Sequence, residues 1–130
     1  MNHSLNRILL VEDDVDIRVI TKMALETTGE FTVQVCSSGR DAIEKAPVFK
    51  PDLILLDVMM PEMDGPNVLK ALREIPEVKS VPVIFLTARS QPKEIEKLRK
   101  MDIVGIISKP FDPMTIAEKV KNIWDRFSER

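Results

Sequence analysis

Three acidic residues in succession, Glu12-Asp13-Asp14, close one run of aliphatic residues, and another carboxylate, Asp57, closes a second. Thr87 and Lys109 close two more. Carboxylates brought together repel and raise one another's pKa unless a cation joins them. A hard divalent ion with oxygen ligands answers that need, and Mg2+ takes one or two carboxylates together with waters and phosphate oxygens. Acids with a metal, a hydroxyl and an ammonium make a complete kit for phosphoryl transfer to a carboxylate. The metal and Lys109 would neutralise charge on the equatorial oxygens and Thr87 would donate a hydrogen bond. An ionised aspartate is already nucleophilic, so no base is needed. Singly, each residue has a plainer role. Asp14 suits a helix N-cap, Thr87 an ordinary strand end, and Lys109 a solvated charge. Their occurrence together, each at the end of an aliphatic run, carries the chemical reading.

These residues work together only if the elements bring them to one place. The apolar runs are Arg7-Ile8-Leu9-Leu10-Val11, Phe31-Thr32-Val33-Gln34-Val35-Cys36, Leu53-Ile54-Leu55-Leu56, Val83-Ile84-Phe85-Leu86 and Gly105-Ile106-Ile107-Ser108. Four are nearly continuous in aliphatics, as parallel strands covered on both faces require. The second alternates apolar and polar, which suits an edge strand. Between them lie amphipathic segments. Val15 to Thr28 carries Ile17, Ile20 and Ala24 at helical spacing, with Val19 and Met23 beside them, and stops at Gly29. Ser38 to Ala46 makes a shorter helix ending before Pro47, and Pro66 opens a helix whose stripe is Val68, Leu69 and Leu72. Lys93 to Lys100 is polar, anchored by Ile95 and Leu98 alone. The last helix starts from Asp112 as N-cap with Pro113 at its first position, and is lined by Ile116, Val120, Ile123, Trp124 and Phe127. The alternation predicts an α/β fold of three layers, α/β/α, around a doubly wound five-stranded parallel sheet. In such sheets the functional crevice lies beyond the carboxyl ends of the strands, at the topological switch point.

The segments Ile8 to Asp14, Asp57 to Gly65, Leu86-Thr87-Ala88-Arg89 and Lys109-Pro110-Phe111 together resemble the receiver (CheY-like) domain of two-component response regulators. The resemblance covers nearly the whole chain, and the Asp57–Gly65 stretch is its most specific part. It implies strand order 2-1-3-4-5, with Asp57 as the phosphorylated residue and Asp13 as a direct ligand of Mg2+ or Mn2+. Glu12 becomes the second acidic position, acting through water, and Met59 offers its backbone carbonyl to the metal. Thr87 becomes the switch hydroxyl, Lys109 binds a phosphoryl oxygen, and the Lys109–Pro110 bond is expected cis. Asp14 and Asp64 match the pattern without a direct metal role. One position departs from it. The family often has Tyr or Phe three residues before the lysine, and here Ile106 stands in a chain without tyrosine. Met101-Asp102 also replaces residues that are commonly small.

The resemblance implies a phosphorylation-dependent signalling switch rather than a turnover enzyme. The phosphoryl donor would be a sensor histidine kinase, a histidine phosphotransfer protein or a small acyl phosphate. An output protein would read a surface on the fourth and fifth helices, and a phosphorylation-dependent homodimer is compatible with this reading. The basic residues Lys93, Lys97, Arg99 and Lys100 read first as a solvated helix face rather than a nucleic-acid site. The single domain is expected to fill residues 1–130, with a core of about 7–127, and to leave no length for an output domain. With 19 basic against 21 acidic side chains, net −2, the chain has no global pull toward nucleic acid or acidic membranes. It shows no signal peptide and no apolar run of membrane-spanning length, so a cytoplasmic location is expected. His3, the sole histidine, is expected in a frayed terminus and is no internal phosphodonor. Cys36 reads as an inert small residue, and Trp124 and the seven methionines mostly as packing.

Three rival readings remain. A haloacid-dehalogenase-like phosphatase would carry a second aspartate two residues after the nucleophile, where this chain has Met59. A flavodoxin-like flavin binder needs a first loop of Ser, Thr and Gly, whereas Glu12-Asp13-Asp14 would repel a phosphate. A degenerate receiver that signals without phosphate is the third, though no core position is missing.

Overall fold

The computed structural model describes residues 4–88 and 91–129, so His3 and Arg89 lie outside the described residues. Five strands, β1 (Arg7–Val11), β2 (Thr32–Cys36), β3 (Leu53–Asp57), β4 (Val83–Thr87) and β5 (Gly105–Ser108), alternate with five helices. The helices are α1 (Val15–Thr27), α2 (Gly39–Phe49), α3 (Gly65–Leu72), α4 (Pro92–Arg99) and α5 (Ile116–Ser128). All strand pairs are parallel, in the order β2-β1-β3-β4-β5 that the resemblance implies.

The near-continuous aliphatic strands have the predicted consequence in three cases, since β3 and β4 are buried at every position and β1 at all but Arg7. β5 departs from it, burying only Ile107, because it forms the other edge of the sheet. Alternate residues feed two cores. Ile8, Leu10, Leu53, Leu55, Ile84 and Leu86 pack with Ala24 and Leu25 of α1 and with Ile116, Val120, Ile123 and Trp124 of α5. Leu9, Val11, Ile54, Leu56, Val83 and Phe85 pack with α2, α3 and Leu98 of α4. Each fully buried Leu or Ile contributes roughly 1.5–3 kcal/mol of transfer free energy. The strand ends are therefore fixed to a rigid slab. Among the described residues no helix is long and apolar enough to cross a membrane.

The helices differ from expectation in three places, and the methionines in a fourth. In α1 the core-facing residues are Thr21, Ala24 and Leu25, while Val19, Ile20 and Met23 are about half exposed or more. The helix carries apolar residues on two adjacent stripes, and the sheet takes the one containing Leu25. Helix α2 runs through Pro47 to Phe49, because its last turn is held from outside. The Arg7 guanidinium donates to the Phe49 carbonyl at 2.7 and 3.0 Å and lies 4.1 Å from that ring's centre, and Lys50 closes the helix at φ 56°. Asp112 does not cap α5: its carboxylate accepts from the Met114 N–H at 2.8 Å in a turn that precedes the helix, and Thr115 is the N-cap residue. Finally, Met23, Met59 and Met114 are exposed rather than packed, whereas Met60 and Trp124 are buried.

Of the unusual Met101-Asp102 pair, Asp102 has a structural explanation. Arg73, after α3, places Nε 2.8 Å from the Asp102 carboxylate and donates to the carbonyls of Val81 (2.7 Å), Asp102 (3.0 Å) and Lys79 (3.1 Å). One guanidinium thus ties the loop after α4 to the loop before β4. Leu98 is the only buried residue of α4, so this clamp holds the far end of a weakly anchored helix.

Candidate functional site

Register decides which residues meet at the carboxyl edge of the sheet. Val11 lies opposite Leu56, so the next residues, Glu12 and Asp57, leave two adjacent strands at the same height. Asp57 in turn lies opposite Leu86, and Thr87 opposite Ser108, so Thr87 and Lys109 emerge along the same rim. The Lys109 N–H donates to the Thr87 carbonyl at 2.8 Å, and the Lys109–Pro110 bond is cis.

The structure brings Glu12, Asp13, Asp57 and Lys109 together. One carboxylate oxygen from each of Glu12, Asp13 and Asp57 falls within 4.8 Å of the others. Lys109 Nζ sits 2.6 Å from Glu12 Oε1 and 3.2 Å from Asp57 Oδ1. Glu12 and Thr87 are fully buried, and Asp57 is 3 % exposed. Burial pushes the Asp57 carboxyl up, Glu12 pushes it further, and Lys109 only partly opposes them, leaving it at about 7. Burial also works against the Lys109 charge, but Glu12 and Asp57 outweigh it and hold its pKa above the ordinary value. The pocket therefore carries more carboxylate than its one lysine can balance. Three convergent oxygens in such a pocket suit a small, hard divalent cation.

Local chain features hold this arrangement. Asp14 caps α1 by accepting from Ile17 N–H at 3.0 Å, and Asp64 caps α3 by accepting from Asn67 N–H at 3.0 Å. Both side chains are thereby committed to helices, and neither is among the clustered carboxylates. Glu12 Oε2 accepts from the Asp14 N–H at 3.2 Å, so the Glu12 carboxylate has a different partner on each oxygen. Met59 donates its N–H toward Asp57 Oδ1 at 3.4 Å while its side chain is 54 % exposed. Ile106 lies opposite Phe85 on β5 and packs, partly buried, against the core on the α2–α4 side.

Two contributors escaped the sequence reading. Gly65 packs against the backbone after β3: a Cβ there would meet the Asp57 carbonyl oxygen at 2.7 Å and Val58 Cα at 2.8 Å. It closes the Asp57–Gly65 stretch that carries the family resemblance, but nothing in the sequence showed why a glycine stands there. Arg18, on the first turns of α1, donates from its guanidinium to the Glu12 carbonyl at 2.9 Å and reaches the Asp13 carbonyl at 3.5 Å. Nothing in its spacing distinguished it from a solvated charge. Cys36, by contrast, is as inert as expected, since burial and then Asp41 push its thiol up to about 12.

Residues 8–121 match the family described as the response regulator receiver domain. The chain is 37 % identical over 116 residues to a probable transcriptional regulator, ycf29, of Porphyra purpurea, covering 89 % of this chain and 55 % of that protein. It is 34 % identical over 119 residues to the response regulator Rre1 of Synechocystis, covering 92 % of this chain and 52 % of that protein. The chain thus spans about half the length of these curated relatives. Among solved structures, the chemotaxis response regulator CheY4 of Vibrio cholerae superposes with a TM-score of 0.83 at 29 % identity, over 92 % of this chain and 99 % of that one. The receiver domain of the sensor histidine kinase PA1611 of Pseudomonas aeruginosa was solved with a magnesium ion in its active-site cleft. It superposes with a TM-score of 0.80 at 25 % identity, over 98 % of this chain and all of that one.

Proposed function

The chain belongs to the response regulator receiver family, whose general function is a phosphorylation-dependent switch in two-component signalling, and from that premise we propose that Asp57 is its phosphoacceptor. The observation that supports this most strongly is the Glu12–Asp13–Asp57 cluster with Lys109 bonded into it. In this reading Asp13 and Asp57 ligate Mg2+ directly, Glu12 holds it through water, and Met59 supplies a backbone carbonyl. Bound Mg2+ supplies positive charge beside the entering phosphoryl group. The protein's own share is to keep Asp57 in a dry pocket, aim Lys109 at a phosphoryl oxygen, and present the Thr87 hydroxyl from β4. Residues 1–130 are taken as one receiver domain in the cytoplasm, where kinases and acyl phosphates supply the phosphoryl group.

Asp57 is too deeply set for a donor protein to reach without docking closely around the rim. Four of the large apolar side chains exposed on the described surface, Val15, Val19, Ile20 and Met23, lie on α1, directly after the acidic loop. An apolar cleft lined by Ile17, Ile20, Lys109, Pro110, Phe111 and Pro113 continues that face toward the site. We assign this face to the histidine-bearing phosphodonor. We assign the output surface to α4 and α5, where α4 is lightly anchored and Ile106 adjoins a hollow lined by Lys119, Asn122 and Arg126 of α5. What the relatives named transcriptional regulators do with DNA remains a property of those longer proteins.

The test is intact mass after incubation with Mg2+ and a small acyl phosphate. Wild type should gain one phosphoryl group, Mg2+ should be required, and Asp57→Asn should gain none. An adduct retained by Asp57→Asn would remove Asp57 from the role.

A further inference from the structure

The proposed metal ligands sit on a three-residue loop, and loops hold geometry poorly unless something fixes their backbone. Glu12 is fixed by its burial, by Lys109 and by the Asp14 N–H. Asp13 has none of these supports. Its carboxylate reaches the cluster from a partly exposed position, and its direction is set by the peptide units on either side. Those two peptide units carry the carbonyls that Arg18 engages, Glu12 O at 2.9 Å and Asp13 O at 3.5 Å. Arg18 is itself held, because its backbone N–H donates to the Asp14 carbonyl at 2.9 Å in the first turn of α1. Its side chain is half-buried against the loop.

Building on the phosphoacceptor reading above, we propose that Arg18 is a positioning residue for the divalent cation: it locks the Glu12–Asp13 backbone so that the Asp13 carboxylate is preset toward the Glu12–Asp57 pair. A surface arginine would otherwise work against the metal, since its charge repels a cation nearby. The two roles therefore have opposite signs. A brace strengthens Mg2+ binding, whereas a bare neighbouring charge weakens it, and salt separates them because it screens the charge and leaves the brace. Both contacts run from one guanidinium nitrogen, Nη1, which the planar group holds between the two carbonyls, whereas a lysine ammonium ends a more flexible stem and would be held there less firmly.

The experiment is a calorimetric titration of Mg2+ into the unphosphorylated protein at about 0.5 M salt, where the Debye length is only ~4 Å. Wild type, Arg18→Ala and Arg18→Lys are compared, with circular dichroism to verify the fold. Supporting groups beside metal ligands typically change affinity by ~10–100-fold. Arg18 acts through backbone, so Arg18→Ala should weaken Mg2+ binding by ~10-fold, with Arg18→Lys between it and wild type. Acyl phosphate labelling should show the loss in the Mg2+ concentration required more than in the rate at saturating Mg2+. Unchanged or tighter binding in a folded Arg18→Ala overturns the proposal. If Arg18→Ala does not fold, Arg18→Lys decides alone, and binding equal to wild type overturns it. Failure of wild type to bind Mg2+ would instead overturn the metal reading on which this one rests.

Discussion

Lys109 Nζ lies closer to Glu12 Oε1, at 2.6 Å, than to Asp57 Oδ1, at 3.2 Å. In the metal-free site the lysine is therefore chiefly the counterion of a fully buried glutamate and only secondarily the neighbour of the proposed nucleophile. Removing it leaves Glu12 as an uncompensated buried charge. Lys109→Met should destabilise the metal-free protein at neutral pH by about 3 kcal/mol, in the range for breaking a buried pair. Urea unfolding measures this, and Glu12→Gln added to Lys109→Met should recover much of the loss. A single variant as stable as wild type would show that water, not Lys109, balances Glu12.

The raised Asp57 carboxyl sets a pH dependence whose sign is fixed. Its pKa in the folded metal-free protein is about 7, against 3.8 for the free side chain. Between those values the folded state holds a proton that the unfolded state has released, so this group lowers stability as pH rises through that window. Asp57→Asn removes that decline and should be the more stable protein above pH 7 in the absence of metal. Mg2+ must displace the same proton, which belongs to the Glu12–Asp57 pair as a unit. Calorimetry in buffers of different ionisation enthalpy should find close to one proton released per Mg2+ near pH 6 and almost none at pH 8.5. Equal release at both would refute the assignment.

Gly65 is needed for shape rather than for freedom at φ, since no described glycine has positive φ. A methyl at this position meets backbone at Asp57 and Val58, which cannot move aside as a side-chain tip can. Gly65→Ala should cost about 2 kcal/mol by overpacking and should also slow acyl phosphate labelling, because the displaced backbone carries the proposed acceptor. Gly29→Ala is the control: its Cβ would press on the Phe31 ring, far along the sheet from the rim, so it should reduce stability without changing labelling. Equal labelling by folded Gly65→Ala would show that the site tolerates the shift.

The acidic cluster was legible because a parallel sheet converts sequence position into spatial position with little ambiguity. Once β1 and β3 are neighbours, Glu12 and Asp57 must leave at the same end, and the register Val11–Leu56 makes them level. Helix rotation carries no such constraint. In α1, Ile17, Ile20 and Ala24 make as good a stripe by spacing as Thr21, Ala24 and Leu25, and a buried threonine is a poor advertisement for a core face. Pro47 misled for a related reason: what continues α2 past it is Arg7, some forty residues earlier in sequence, bonding to Phe49. Arg18 and Arg73 were invisible because a guanidinium's work depends on which carbonyls surround it, and only the folded chain supplies those.

The misplaced stripe of α1 has a functional consequence that can be measured. A helix that buries Thr21, Ala24 and Leu25 leaves Val19 and Met23 52 % and 60 % exposed, on the helix that follows the acidic Glu12–Asp14 loop. Apolar side chains in that position favour a partner that covers them, and truncating or charging such an anchor commonly costs 1 kcal/mol or more of binding. The double variant Val19→Lys, Met23→Lys alters neither the sheet edge nor the Asp14 cap. Labelling by a small acyl phosphate, which needs no docking, should therefore match wild type. Transfer from whichever histidine kinase or phosphotransfer protein labels the wild type should slow by about tenfold or more, with the loss in the concentration of protein required. Equal loss with both donors would mean that the substitutions disturb the site itself. Equal retention with both would move the donor's footprint away from α1.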